Sequence, residues 1–196
     1  MEDYFKPYKR LAEKWGYEFE CSAESRQIYL GRLSDDPMLN NKFCYFTNDR
    51  YLFWAFDSFG AKFGMHQTYS GVYRWVKLPE PAFECRMEKF FRLDVLLKGK
   101  RNRLGIPEVD KKVTIHTNNK TLAGQFITPR VVKDFLSLNE LAGPLELVIG
   151  NQYIPRFKGH ENEQLIGMET NRWYTAGELE TNFKSLTDFL GRFQVS

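Results

Sequence analysis

The sequence predicts an α+β protein in which largely antiparallel sheet is packed by an N-terminal, a middle and a C-terminal helix. Two patterns lead there. Apolar residues recur at helical spacing near both ends and past the middle, whereas the stretches between them alternate apolar and polar with a period of two. Gly, Pro, Asn and Asp fall at the boundaries, where chain reversal needs them.

Tyr4, Phe5, Tyr8, Leu11, Ala12 and Trp15 repeat at helical spacing and Gly16 follows where a helix stops, which defines an N-terminal amphipathic helix. Tyr17, Phe19 and Cys21 alternate with Glu18 and Glu20, so a strand with one buried face comes next. Residues 26 to 33, 43 to 47 and 51 to 59 read as further strands, divided by Asp35-Asp36-Pro37 and Asn48-Asp49, and an antiparallel meander fits them. Tyr69 to Leu78 is another strand, with Tyr73 and Trp75 on one face and Val72 and Val76 on the other.

Pro79-Glu80-Pro81 lacks two backbone donors and marks a boundary, giving halves of residues 1–78 and 79–196, or one continuous domain that spans both. Beyond it Phe83, Cys85 and Met87 alternate, and a helix is expected through Phe90, Phe91, Val95 and Leu96 as far as Gly99. Lys112 to Thr117 reads as a strand. Thr128-Pro129 opens a helix with an N-cap hydroxyl and a first-turn proline, Val131, Val132, Phe135, Leu136 and Leu138 give it an apolar face, and Gly143-Pro144 closes it. Leu145 to Ile149 and Gln152 to Lys158 flank Gly150-Asn151, which predicts a two-residue antiparallel hairpin. Thr175-Ala-Gly-Glu178 matches a capping box, and Leu179, Phe183, Leu186, Leu190 and Phe193 form one stripe of the helix behind it.

Composition narrows the function classes. With 42% hydrophobic residues and 17 Phe and 10 Tyr spread along 196 positions, the chain can bury a core. A net charge of +3, from 28 basic and 25 acidic residues, names no nucleic-acid partner. Cys21, Cys44 and Cys85 are irregularly spaced, which indicates buried, reduced thiols in a cytoplasmic protein and neither a disulfide framework nor a metal site. No secretory leader or apolar run of membrane-spanning length is present, so the Asn119-Lys120-Thr121 sequon is read as chance.

No serine-hydrolase elbow, phosphate-binding loop or dinucleotide fingerprint occurs, and no cofactor is expected. His66, His116 and His160 are the candidates for acid–base chemistry, although none stands at metal-ligand spacing from a second donor. Lys98, Lys100, Arg101 and Arg103 form a basic loop, read first as solvated and second as a contact for nucleic acid or anionic lipid. The aromatic cluster Tyr45, Phe46, Tyr51, Phe53, Trp54, Phe56 and Phe59 is denser than one face of one core requires, so some of Tyr51, Phe53 and Phe59 or Trp54 and Phe56 are expected to face a second layer or a partner. Of the two, the partner is preferred, and Tyr51, Phe53, Trp54, Phe56, Tyr73 and Trp75 are the expected surface for a protein or small ligand.

Leu78-Pro79-Glu80-Pro81-Ala82-Phe83-Glu84-Cys85-Arg86, then Gly105-Ile106-Pro107-Glu108, Val113-Thr-Ile-His116 and the Thr128-Pro129 helix carry a resemblance. The stretch from Pro79 to Phe193 is similar to a group of uncharacterised bacterial proteins with a short helix, an extended segment, then helix, hairpin and C-terminal helix. That group has no assigned activity, and some members bear N-terminal membrane helices, which implies a place near the cytoplasmic membrane face. The reading from sequence is a non-enzymatic cytosolic binding domain. Its rival is an enzyme that uses one of the histidines with a carboxylate or a cysteine.

Overall fold

Strand alternation sorts the chain into one sheet with two unlike faces. The computed structural model describes residues 2–22, 39–60, 65–90, 103–150, 159–160 and 162–193. Among these, the strands are β1 (Glu18–Ser22), β2 (Leu39–Thr47), β3 (Tyr51–Gly60), β4 (Met65–Val76), β5 (Cys85–Lys89), β6 (Val113–Thr117), β7 (Glu146–Ile149) and β8 (Gln164–Thr170). The helices are α1 (Glu2–Trp15), α2 (Pro107–Asp110), α3 (Lys120–Phe126), α4 (Pro129–Ala142) and α5 (Ala176–Leu190). All eight strands join one sheet in the order β1-β2-β3-β4-β8-β7-β5-β6. Every pairing in it is antiparallel.

β1 to β4 are the expected meander. Asn48 closes the β2–β3 turn by accepting from the Arg50 and Tyr51 amides at 2.9 and 2.7 Å, an Asx-type turn that fixes the register. The candidate strand at 26 to 33 lies outside the described residues, as does the helix expected through Phe90 to Gly99 from Phe91 on, Phe90 itself being non-helical. The sheet crosses the Pro79-Glu80-Pro81 boundary, because β4 pairs with β8 through Val72↔Met168 and Tyr73↔Gly167.

The predicted caps form as the sequence specifies. The Thr128 hydroxyl accepts from the Val131 amide at 3.3 Å and Pro129 opens α4. Thr175 and Glu178 make the reciprocal capping box of α5. α3 is an addition: Asn119, the sequon asparagine, is its N-cap and accepts from the Leu122 amide at 3.0 Å. β7 pairs with β5 on one side and β8 on the other. The partner strand expected over residues 152 to 158, with Asn151 of its turn, lies outside the described residues.

One face of the sheet carries the helices. Phe5, Tyr8 and Leu11 of α1, Val132 and Phe135 of α4, and Leu179, Phe183 and Leu186 of α5 pack on Phe46, Phe53, Val72, Ile115, Leu147 and Met168. Arg74 reaches from β4 into this layer and its guanidinium donates to the carbonyls of Leu190, Gly191 and Phe193, at 3.2, 3.0 and 3.0 Å, satisfying the orphan end of α5. The other face holds a second apolar cluster toward β2, β3 and β4, namely Phe43, Leu52, Trp54, Phe56, Tyr69, Tyr73, Trp75, Val148 and Leu165.

The aromatic surface expected from sequence is therefore interior. Phe53, Trp54, Phe56 and Tyr73 are at most 1% exposed, Trp75 is buried and Tyr51 is half-buried. Successive strand positions do point to opposite faces, and both faces of β3 are covered, so the aromatic surplus fills two cores instead of one. Cys21 is also corrected: it is exposed while Cys44 and Cys85 are buried. Among the described strands β1 lies at the edge of the sheet.

Candidate functional site

On β5 to β8 the same alternation places charge where β2 to β4 place aromatics. Cys85 and Met87 of β5, Leu147 and Ile149 of β7, and Ile166 and Met168 of β8 face the helices. Their neighbours Arg86, Glu88, Glu146, Val148 and Glu169 consequently project from the opposite face. Register then aligns them. Glu88 lies opposite Glu146 and Glu146 opposite Glu169, so three carboxylates stand side by side across adjacent strands. These residues line a cleft of about 490 Å³ together with Tyr73, Glu84, His116 and Asn118.

Side-by-side carboxylates repel, and Arg86 is what holds them. Its Nε lies 2.7 Å from Glu146 Oε2 and its Nη2 lies 3.2 Å from Glu169 Oε2. The Tyr73 hydroxyl donates to Glu169 Oε1 at 2.9 Å. Glu169 itself is only 4% exposed, so it is a buried charge paired with a half-exposed guanidinium. Tyr73 reaches this position because its ring lies over Gly167 and Gly71. A Cβ at Gly167 would stand 2.0 Å from Tyr73 Cδ1 and one at Gly71 would stand 2.5 Å from the hydroxyl oxygen. The glycines make the bed for the ring and the ring aims the hydroxyl.

At the β6 end, His116 Nε2 stands 3.7 Å from Glu88 Oε1, with the imidazole side chain 45% exposed. The rim is fixed by Asn118, which accepts from the Glu84 amide at 3.0 Å and donates to the Ala82 carbonyl at 2.6 Å. Thr117 donates to the Glu84 carbonyl at 2.7 Å. A site built on strands and a pinned rim keeps its charges in place before any ligand arrives.

The remaining sequence candidates are dispersed. His160 pairs with Glu163 and stacks on Trp75, with ring centroids 4.1 Å apart and planes 9° from parallel. His66 lies on β4 opposite Phe59. Cys85 faces the helical core, and burial pushes its thiol up to about 12 against a hydrogen bond from Thr117, so it stays protonated at neutral pH. Burial likewise raises the Cys44 thiol, and the nearby Cys21 adds to the effect. Of the basic loop, Arg103 is exposed, and Lys98, Lys100 and Arg101 lie outside the described residues. Among the described residues no three His, Cys, Asp or Glu side chains are grouped to hold a metal ion.

Arg86, Glu88, Glu146 and Glu169 escaped the sequence reading. The signal for two of them was present in Glu84-Cys85-Arg86-Met87-Glu88, where charge occupies every position of one face. Nothing local shows that Glu146 and Glu169 fall beside them.

Fold and site together define an α+β protein with helices over one face of an antiparallel sheet and a charged cleft on the other. The sequence matches no protein-family model, and no curated protein is significantly similar to it. No helix among the described residues is long and apolar enough to cross a membrane.

Proposed function

We propose that the protein is a binding protein that takes a small ligand carrying an amine or guanidinium group in the cleft over β5, β7 and β8. The sign of the charge there supports the reading. Glu84, Glu88, Glu146 and Glu169 face one arginine and one histidine, although the chain as a whole is +3. A concave site of sign opposite to its molecule concentrates ligands of the complementary charge. The Arg86 guanidinium is already engaged by two carboxylates, which leaves it little affinity for an anion. Of the six aromatic residues expected to contact a ligand, Tyr73 alone lines this cleft. A cytoplasmic setting belongs to the same reading and is supported by Cys21, Cys44 and Cys85 being thiols.

Calorimetric titration with agmatine, spermidine and lysine methyl ester, beside succinate and phosphate, tests it. Cations bind and anions do not, and Glu146→Gln weakens the cations by roughly tenfold, about 1.4 kcal/mol for one lost charge contact. Binding of anions alone would remove the proposal.

The His116–Glu88 pair favours a second reading, an acid–base enzyme acting in the same cleft. His116→Asn separates the two. A binding protein keeps its affinity for the cation within about twofold, since His116 sits at the β6 end, away from the Glu146–Glu169 centre of charge.

A further inference from the structure

Cys21 and Cys44 are direct partners in the β1–β2 register. Residues directly opposite in an antiparallel pair project to the same side of the sheet, with Cα atoms about 4.5 or 5.5 Å apart according to the type of pair. Both values fall within the span of roughly 4.4–6.8 Å that a disulfide bridges. The two thiols differ in access: Cys21 is exposed, whereas Cys44 is 0% exposed directly behind it in the sheet. Among the described residues β1 is a five-residue edge strand paired to β2 alone, so a slight shift toward its neighbour disturbs no second ladder there. An accessible thiol with a second one poised beside it is the arrangement of a reversible oxidation site.

We infer that Cys21 and Cys44 form a thiol–disulfide exchange site, in which Cys21 attacks a low-molecular-weight disulfide and Cys44 resolves the adduct. In the first step the Cys21 thiolate bonds to one sulfur of the external disulfide and releases the other half as a thiolate. In the second, the Cys44 thiol loses its proton to solvent and its sulfur attacks the Cys21 sulfur, expelling the second external thiolate. Two protein thiols are oxidised by two electrons, and one external disulfide is reduced to two thiols. Burial of Cys44, which raises its thiol, makes the second step the slower one and makes it faster as pH rises. Cys85 takes no part, since it lies on β5, far along the sheet order from β1.

The test treats the purified chain with oxidised glutathione, blocks remaining thiols with an alkylating reagent and maps peptides by mass spectrometry. Glutathione appears first on Cys21 and gives way to a Cys21–Cys44 crosslink, with conversion faster at pH 9 than at pH 7. The crosslinked form melts roughly 5 °C higher, because the bridge closes a loop in the unfolded chain, and dithiothreitol reverses the change. Cys85→Ser leaves the course unchanged. Cys21→Ser, an exposed substitution that keeps the buried thiol, prevents adduct and crosslink alike. A glutathione adduct that persists on Cys21 with no crosslink would overturn the inference. So would a crosslinked product that melts below the thiol form, since it would show that the sheet must distort to make the bond.

Discussion

Replacing Gly167 by alanine tests whether a bare backbone is what admits the Tyr73 ring. The new Cβ would stand 2.0 Å from Tyr73 Cδ1 and 2.5 Å from Cε1, far inside van der Waals contact. The ring cannot slide along the strand instead, because a Cβ-free site at Gly71 receives its other end. Three quantities set the cost. Overpacking a filled site costs roughly 1–3 kcal/mol. Dragging the hydroxyl from Glu169 loses a bond to a charged acceptor, about 1.5–3 kcal/mol if the bond breaks fully. Alanine returns about 0.5–1 kcal/mol by restricting the unfolded chain. The net is about 3 kcal/mol, which in a chain of this size lowers Tm by roughly 10 °C. Urea denaturation followed by far-UV circular dichroism measures it, with Gly177→Ala as the control. Nothing lies within 4 Å of a Cβ at Gly177 in α5, so that change is expected to stabilise by about 0.5 kcal/mol. In a Tyr73→Ala background the Gly167→Ala cost vanishes, giving a coupling close to the single-variant loss. A Gly167→Ala protein as stable as the parent would refute the reasoning.

Much of the fold was legible because its signals were local. The Thr128-Pro129 start and the Thr175/Glu178 box are short-range hydrogen-bond patterns, and both helices begin where they predict. The β2–β3 turn was equally local. β8 was missed because Gln164–Thr170 is buried on both faces and shows no alternation, and Gly167, which seats the Tyr73 ring, breaks its apolar run. The aromatic cluster was legible as an excess over one core, but whether the second face meets solvent or more protein is a long-range fact. The cleft was the least legible part. Its carboxylates are brought together because β5, β7 and β8, distant in the chain, are neighbours in the sheet, and no spacing in the sequence encodes that.

Further expectations follow from single contacts. Arg74→Met removes the donor to three carbonyls at the end of α5 and is expected to cost about 2 kcal/mol by urea denaturation, with Arg74→Lys recovering only part. Arg86→Met leaves the 4%-exposed Glu169 with Tyr73 but without its ion pair, a loss of about 2 kcal/mol after allowing for the half-exposed guanidinium, read in the same assay. Glu178 has its carboxyl held below the ordinary value of 4.5, chiefly by the Thr175 amide and also by the Thr175 hydroxyl and Arg172. Its contribution is therefore present above that pH and lost as pH falls through and below it, so the Tm gap between parent and Glu178→Gln closes in acid. Thr175→Ala, which removes the other half of the box, costs about 1 kcal/mol in thermal or urea unfolding.

The central claim is that the charged face over β5, β7 and β8 is where a cationic ligand binds. Titrating agmatine into isotope-labelled protein while following backbone amide and arginine side-chain resonances tests it most directly. The account predicts saturable shifts concentrated at Arg86, Val148, Gly150 and Glu169, abolished by Glu146→Gln with Glu88→Gln. Saturable shifts confined to the helical layer, or no shifts at any residue of the cleft, would contradict it.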